Sequence, residues 1–151
     1  MAKRTAVADR VTELILETFR LNGRLLAAGD RLTGDLGLTS ARWQVMGAVE
    51  MAAEPLSVAQ IARSMGLTRQ AVQRVANDLA AEGLVAYAEN PQHRRAKLVR
   101  MTGQGEAVLK AVQRRQADWA NRLSDGLAAK SIDQALATLA ALRERLDADK
   151  D

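Results

Sequence analysis

The sequence has no cysteine and a single histidine. Without thiols there is no disulfide, thiolate zinc site or thiol redox sensor, and one histidine cannot form a metal-binding cluster. Aromatic residues make up 3% of the 151 positions and apolar residues 48%, so the core has to be aliphatic. Both prolines, Pro55 and Pro91, fall in stretches that read as loops, which permits long uninterrupted helices. No apolar run approaches the roughly 18 residues of a membrane span, and the basic Lys3-Arg4 start is not followed by an apolar signal segment. Also missing are paired carboxylates in a pocket-like context, a glycine-rich phosphate loop and a nucleophile beside a base. The expectation is a cytoplasmic protein that is not an enzyme, has no membrane contact, and holds no metal or other cofactor.

The positive charge is concentrated. Between Ser57 and Met101 lie seven basic residues (Arg63, Arg69, Arg74, Arg94, Arg95, Lys97, Arg100) and three acids (Asp78, Glu82, Glu89). The remaining 15 basic and 15 acidic residues cancel, so this stretch carries the whole formal net charge of +4. A face that meets phosphates has this signature; so does a chance cluster on a solvated face.

Apolar spacing predicts helices on either side. Val11, Leu14, Ile15 and Phe19 form a stripe in a helix from about Ala6 to Ala28, with residues 1–5 frayed and Gly29 as its terminating glycine. Asp30–Leu38 reads as a connector with one irregular turn. Thr39 or Ser40 caps a helix to about Ala52, one face marked by Trp43, Met46, Val49 and Glu50. After Pro55, Ser57 and Gln60 form an S-x-x-Q capping box for a short helix over Val58–Met65. Gly66 ends that helix, Leu67 supplies a buried contact across the turn, and Thr68 caps a longer helix to Glu82. Two helices joined by a short glycine-containing turn are the helix-turn-helix pattern.

The second of these helices divides into two faces. Val72, Val75, Ala76 and Leu79 share one, and Arg69, Gln70, Gln73, Arg74 and Asn77 share the other. The outer face has no acid before Asp78, unlike an ordinary solvated helix, which interleaves Glu and Lys for local pairing. Its side chains suit the major groove of duplex DNA: Arg for guanine, Gln and Asn for adenine, Thr68 for phosphate. Gly83 and Leu84 close the helix. Val85–Glu89 and Lys97–Met101 then read as two antiparallel strands, and the loop between them carries Arg94 and Arg95, as in a wing that reaches a minor groove. Thr102 caps a long helix to about Leu127 with Val108, Val112, Trp119 and Leu123 on one stripe. A second S-x-x-Q box, Ser131 with Gln134, opens a last helix bearing Ile132, Leu136, Leu139, Leu142 and Leu146, with a fraying Asp147–Asp151 tail.

The expected fold is therefore mainly α with a small β-hairpin wing. Residues 1–38 form a dimerisation helix and connector, 39–101 a winged helix-turn-helix that binds DNA, and 102–151 dimerisation helices, all in one compact chain. The apolar stripes of the terminal helices exceed what so small a central unit covers, which favours a homodimer over a monomer folded on itself.

The order of these motifs resembles the MarR family of bacterial transcription regulators. The resemblance rests on Leu38-Thr39-x-x-x-Trp43, Ser57-x-x-x-Ile61-Ala62, Leu67-Thr68-Arg69-Gln70-x-Val72, Leu79-x-x-x-Gly83-Leu84-Val85, and Arg94-Arg95-Ala96-Lys97 running into Met101-Thr102-x-x-Gly105. It implies a homodimer that binds pseudo-palindromic double-stranded DNA, usually as a repressor, and releases it on binding a small aromatic or phenolic effector. Carried over by position, it implies an effector pocket with Trp43, Arg20 and Arg24; plain core and solvated charge are the competing readings of these three. The chain departs from the family at the wing. Where the family loop reads Asp-x-Arg-Asp-x-Arg, this one reads Asn90-Pro91-Gln92-His93-Arg94-Arg95, without the acids that brace the arginines, which puts the rigidity of the wing in question. The alternative is a helical protein-interaction module whose winged helix has lost specific DNA binding.

Overall fold

A computed structural model describes residues 4–149. The first helix, α1, spans Ala6–Thr33, capped by the Thr5 hydroxyl, which accepts from the Ala8 N–H at 3.1 Å. Thr5 is therefore an ordered cap rather than part of a frayed end; residues 1–3 lie outside the described residues. The helix also runs past Gly29, which does not terminate it. Gly29 is buried, and a Cβ there would sit 2.3 Å from Ser40 Oγ, so the glycine permits close approach of the second helix. Around that contact, Ser40 donates from its backbone to Asp30 Oδ1 at 2.7 Å and from its hydroxyl to the Leu26 carbonyl at 2.5 Å. The Thr33 hydroxyl, fully buried, donates to the Gly29 and Leu38 carbonyls.

A single 3₁₀ turn at Gly34–Leu36 is the irregular turn expected of the connector, which is shortened because α1 extends into it. Helix α2 (Ser40–Met51) follows, capped by Thr39. Its buried residues are Ser40, Val45 and Met46, whereas Glu50 is exposed and accepts from Gln113 at 2.6 Å. Strand β1 (Leu56–Ser57) is an element the sequence does not announce. It pairs antiparallel with a later strand and makes the sheet three-stranded. Helices α3 (Val58–Met65) and α4 (Arg69–Ala81) are the expected pair, and strands β2 (Val85–Ala88) and β3 (Leu98–Met101) the expected hairpin. The strand order is β1-β3-β2, with Tyr87 opposite Val99 and Leu56 on Val99's other side.

Helix α5 (Gly103–Ser124) begins at Thr102, whose hydroxyl accepts from the Gly105 N–H and donates to the Gly83 carbonyl. The last helix, α6 (Ala129–Ala148), starts earlier than expected. Its cap is Ala128 without a side-chain bond, so Ser131 lies inside the first turn and forms no capping box. Alanine and lysine are strong helix formers and propagate the helix toward its N-terminus. Helix continues through Asp147, which is partnered, so the tail is ordered that far; residues 150 and 151 lie outside the described residues.

Two compact units result, Met1–Arg115 and Gln116–Asp151. The core of the first is aliphatic, as the composition requires: Val45, Met46, Ile61, Val72, Leu79, Val99, Leu109 and Val112 are all essentially inaccessible. Arg115 donates to the Leu32 carbonyl at 3.2 Å and grips the Asp35 carboxylate with both terminal nitrogens. The hydrogen bond from Arg115, aided by its charge, holds the Asp35 carboxyl below its ordinary value. This contribution to stability is present above the ordinary Asp range and is lost as pH falls through the lowered value. Among the described residues, no helix is long and apolar enough to cross a membrane.

Candidate nucleic-acid interface

The α3–α4 pair is fixed by local chemistry at every joint. Ser57 and Gln60 exchange both capping-box bonds, Ser57 N–H to Gln60 Oε1 at 2.8 Å and Gln60 N–H to Ser57 Oγ at 3.4 Å. Gly66 adopts φ +65°, the left-handed conformation that an L side chain resists, and so turns the chain sharply between the helices. Leu67 does not make the buried contact expected of it: 41% of it is exposed. The turn is closed instead by the backbone, through Leu67 N–H to the Ala62 carbonyl at 2.9 Å. Thr68 caps α4 by accepting from the Ala71 N–H at 3.1 Å, which leaves its hydroxyl proton free to donate outward.

Val72, Ala76 and Leu79 anchor α4 in the core. That burial turns Arg69, Gln70, Gln73, Arg74 and Asn77 to the surface, where all five are exposed. Between this face, the start of α3 and the wing lies an open groove of about 1190 Å³. It gathers Arg69 and Gln73 from α4, Arg63 from α3, and Arg95, Lys97 and Arg100 from the hairpin. Gln70 and Arg74 lie along α4 in a shallower depression with Arg69, Gln73 and Asn77. Arg94 is exposed on the wing but is not part of the groove wall.

The wing is braced, though not by the acid–arginine pairs its sequence lacks. Asn90 donates from Nδ2 to the Ala96 carbonyl at 2.8 Å and accepts at Oδ1 from the Gln92 N–H at 3.0 Å. Backbone bonds from His93 to Asn90 and from Ala96 to His93 complete two successive turns. Asn90 thus ties down the loop and leaves Arg94 and Arg95 unengaged.

The electrostatics follow from which charges have partners. Among the described residues, none of the seven basic side chains between Ser57 and Met101 is in an ion pair. Of the three acids in that stretch, Glu82 pairs with Arg42 at 2.7 Å, and neither residue lines the groove. Glu54 at the groove's edge is the one acid among its lining residues, beside four arginines and Lys97, so the groove is net positive.

Sequence reasoning missed Tyr87, Arg63, Lys97 and Arg100 as members of this surface. The three basic residues belong to the charge excess and to expected elements, Arg63 to the first helix of the pair and Lys97 and Arg100 to the second strand, but nothing local shows that these elements converge on one groove. Tyr87 lies two residues beyond buried Val85 and so on the same side of β2, where its hydroxyl meets Gln73 and Asn77. The alternation along β2 was the available signal. The residues proposed for an effector pocket do not share a described cavity. Trp43 packs half-buried against the core, Arg20 is exposed and paired with Glu17 at 3.2 Å, and Arg24 is exposed.

A MarR family model matches residues 36–96. An uncharacterised protein of Mycobacterium tuberculosis is 40% identical over 121 residues, covering 80% of this chain and 83% of its own. Transcriptional activatory protein BadR of Rhodopseudomonas palustris is 30% identical over 118 residues, 72% of this chain and 67% of its own. Solved structures that share the fold include the following two. The Staphylococcus aureus MepR–DNA complex has a TM-score of 0.75 at 18% identity, covering 85% of this chain and 94% of that one. CouR of Rhodococcus jostii RHA1, bound to p-coumaroyl-CoA, has a TM-score of 0.75 at 24% identity, covering 92% and 95%.

Proposed function

Because this chain belongs to the MarR family of winged-helix transcription regulators, we propose that it acts as a homodimer on pseudo-palindromic duplex DNA in the cytoplasm. In this reading α4 enters the major groove. Arg69, Gln70, Gln73 and Arg74 reach base edges or phosphates, Thr68 holds a phosphate at the helix N-terminus, and Arg94 and Arg95 clamp the flanking minor groove or backbone. The observation that carries it is the groove between α4 and the wing, lined by basic side chains that form no ion pair among the described residues. The dimer is supported by apolar side chains left at the surface. On α1 these include Ile15, Leu16, Phe19 and Leu25, and on α6 Ile132, Leu136 and Leu146. Two-fold symmetry would then place two recognition helices about 34 Å apart, one DNA turn.

Repression is the outcome that occupancy alone produces, since a protein seated over a promoter excludes polymerase without further contacts. Activation is the second reading, favoured by the name of the BadR relative. Selection of fragments from a random duplex pool, followed by a reporter driven by the selected site, tests both. A two-fold symmetric consensus is expected, and a pool with no enriched sequence would exclude specific DNA binding in favour of the protein-interaction module. Arg69→Ala should weaken the selected site by roughly 1–3 kcal/mol. Unchanged affinity across all single-base variants of that site would remove Arg69 from base readout.

We extend the reading to an effector, a small aromatic or phenolic acid with Trp43 at its ring and Arg20 or Arg24 at its carboxylate. Support for the phenolic ring comes from CouR, a structure of the same fold bound to the thioester p-coumaroyl-CoA; the carboxylate is carried by the resemblance alone. Such a ligand releases DNA only through its differential affinity for a dimer whose helices are out of register with the grooves. If aromatic acids release DNA equally well from Trp43→Ala and Arg24→Ala proteins, these side chains have no part in the pocket.

A further inference from the structure

Gln73, Asn77 and Tyr87 form a closed hydrogen-bonded triangle on the outer face of α4. Gln73 Nε2 donates to Asn77 Oδ1 at 3.0 Å and to the Tyr87 hydroxyl at 2.9 Å, and that hydroxyl donates to Asn77 Oδ1 at 2.6 Å. The distances orient the two amides. A separation of 2.6 Å suits O–H···O and is short for N–H···O, so the Asn77 atom facing Tyr87 is its oxygen. The contacts at 2.9 and 3.0 Å are ordinary for N–H···O, so Gln73 turns its nitrogen inward. Burial pushes the Tyr87 hydroxyl above its ordinary value, which keeps the donor protonated.

The arrangement restricts what the surface can read. A glutamine amide has two protons and one acceptor oxygen. Both Gln73 protons are engaged within the chain, so only Oε1 faces outward. The usual bidentate contact with adenine needs one Nε2 proton for N7 and Oε1 for the N6 amino group. With the nitrogen occupied, only the second half remains. In the major groove the amino groups available to such an acceptor are adenine N6 and cytosine N4, while guanine and thymine present acceptors at the equivalent edge. Asn77 is left in the complementary state, its oxygen engaged and its Nδ2 free to donate.

We propose that Tyr87, a residue of the wing strand, is a positioning residue for base specificity: by holding the Gln73 amide with its protons inward, it makes Gln73 an acceptor-only reader that takes adenine or cytosine. This rests on the DNA-binding reading above and deepens it. It also joins the hairpin to the recognition helix, so that a side chain which touches no base sets the base preference of one that does.

The test uses the full-length protein and a duplex selected from a random pool, with each half-site position varied through all four bases and binding read by fluorescence anisotropy. The wild type should show one position per half-site where adenine and cytosine bind about equally and guanine and thymine bind much more weakly. Tyr87→Phe retains the ring and frees one Gln73 proton. At that position it should favour adenine over cytosine by about 5- to 150-fold, the worth of a completed bidentate pair. In a Gln73→Ala background, Tyr87→Phe should change no base preference, because the coupling runs through Gln73. Gln73→Glu has only acceptors however it turns, and should keep the adenine-or-cytosine pattern at reduced overall affinity; it tests the acceptor-only logic independently of how well Tyr87→Phe folds. Identical preferences for Tyr87→Phe and wild type at every position would overturn the proposal and leave DNA binding standing, as would loss of the pattern in folded Gln73→Glu protein. If the wild type enriches no sequence, the DNA-binding reading fails and this inference with it.

Discussion

Raising the salt from 50 to 200 mM should weaken binding to a selected duplex by roughly 10³- to 10⁵-fold, the loss for about six to ten neutralised phosphates. The basis is that, among the described residues, Arg63, Arg69, Arg95, Lys97 and Arg100 around the groove form no ion pair. A cation already paired within the protein releases few counterions when it meets DNA; an unpaired one releases its share. Arg95→Ala should therefore flatten the slope of log K against log salt by about 0.9 per subunit, or about 1.8 for a dimer. Measured by anisotropy across a salt series, an Arg95→Ala slope equal to that of the wild type would place this residue off the DNA.

Replacing Gly105 by alanine should destabilise the fold by about 3 kcal/mol or more, the upper range for a point substitution. A Cβ at this position would stand 2.0 Å from the Leu84 carbonyl oxygen and 2.8 Å from Met101 Sδ. The methionine can move aside, but the carbonyl cannot. It accepts from both the Thr102 backbone and the Thr102 hydroxyl, the bonds that join the end of the hairpin to α5. For a chain of this length, 3 kcal/mol corresponds to a fall in Tm of roughly 6–12 °C. Gly103→Ala is the control, since a Cβ there meets nothing within 4 Å. Equal melting temperatures for the two variants would show that the backbone contact at Gly105 relaxes freely.

Much of the interface could be read from the sequence because it is built from local rules. The Ser57–Gln60 box, the left-handed Gly66 and the Thr68 cap each depend on residues within four positions of one another, and all three stand where expected. The two faces of α4 follow from helical periodicity and needed no partner to be recognised. What was not legible depends on partners distant in sequence. Gly29 looks like a helix terminator until Ser40 is seen against it, ten or more residues later. Strand β1 has two residues, too few for any alternation, and exists only because β3 offers an edge. Leu67 looked buried because apolar residues after such turns often are, but the backbone closes this turn unaided. Tyr87 carried a periodic signal for its side of the strand, but nothing local names Gln73 and Asn77 as its partners.

The contact around Gly29 and Ser40 has a mechanical consequence. Helix α1 is 28 residues long, about 42 Å at 1.5 Å per residue, and near its C-terminal end is tied to α2 by the Asp30 and Leu26 bonds and to the connector by the Thr33 bond to Leu38. A corner held by so many bonds is a poor hinge. Torque applied to the exposed apolar flank of α1 would therefore be expected to reach α2 as rotation rather than be absorbed in the connector. For a lever of this length a tilt of only about 5° corresponds to a displacement of roughly 4 Å at the far end.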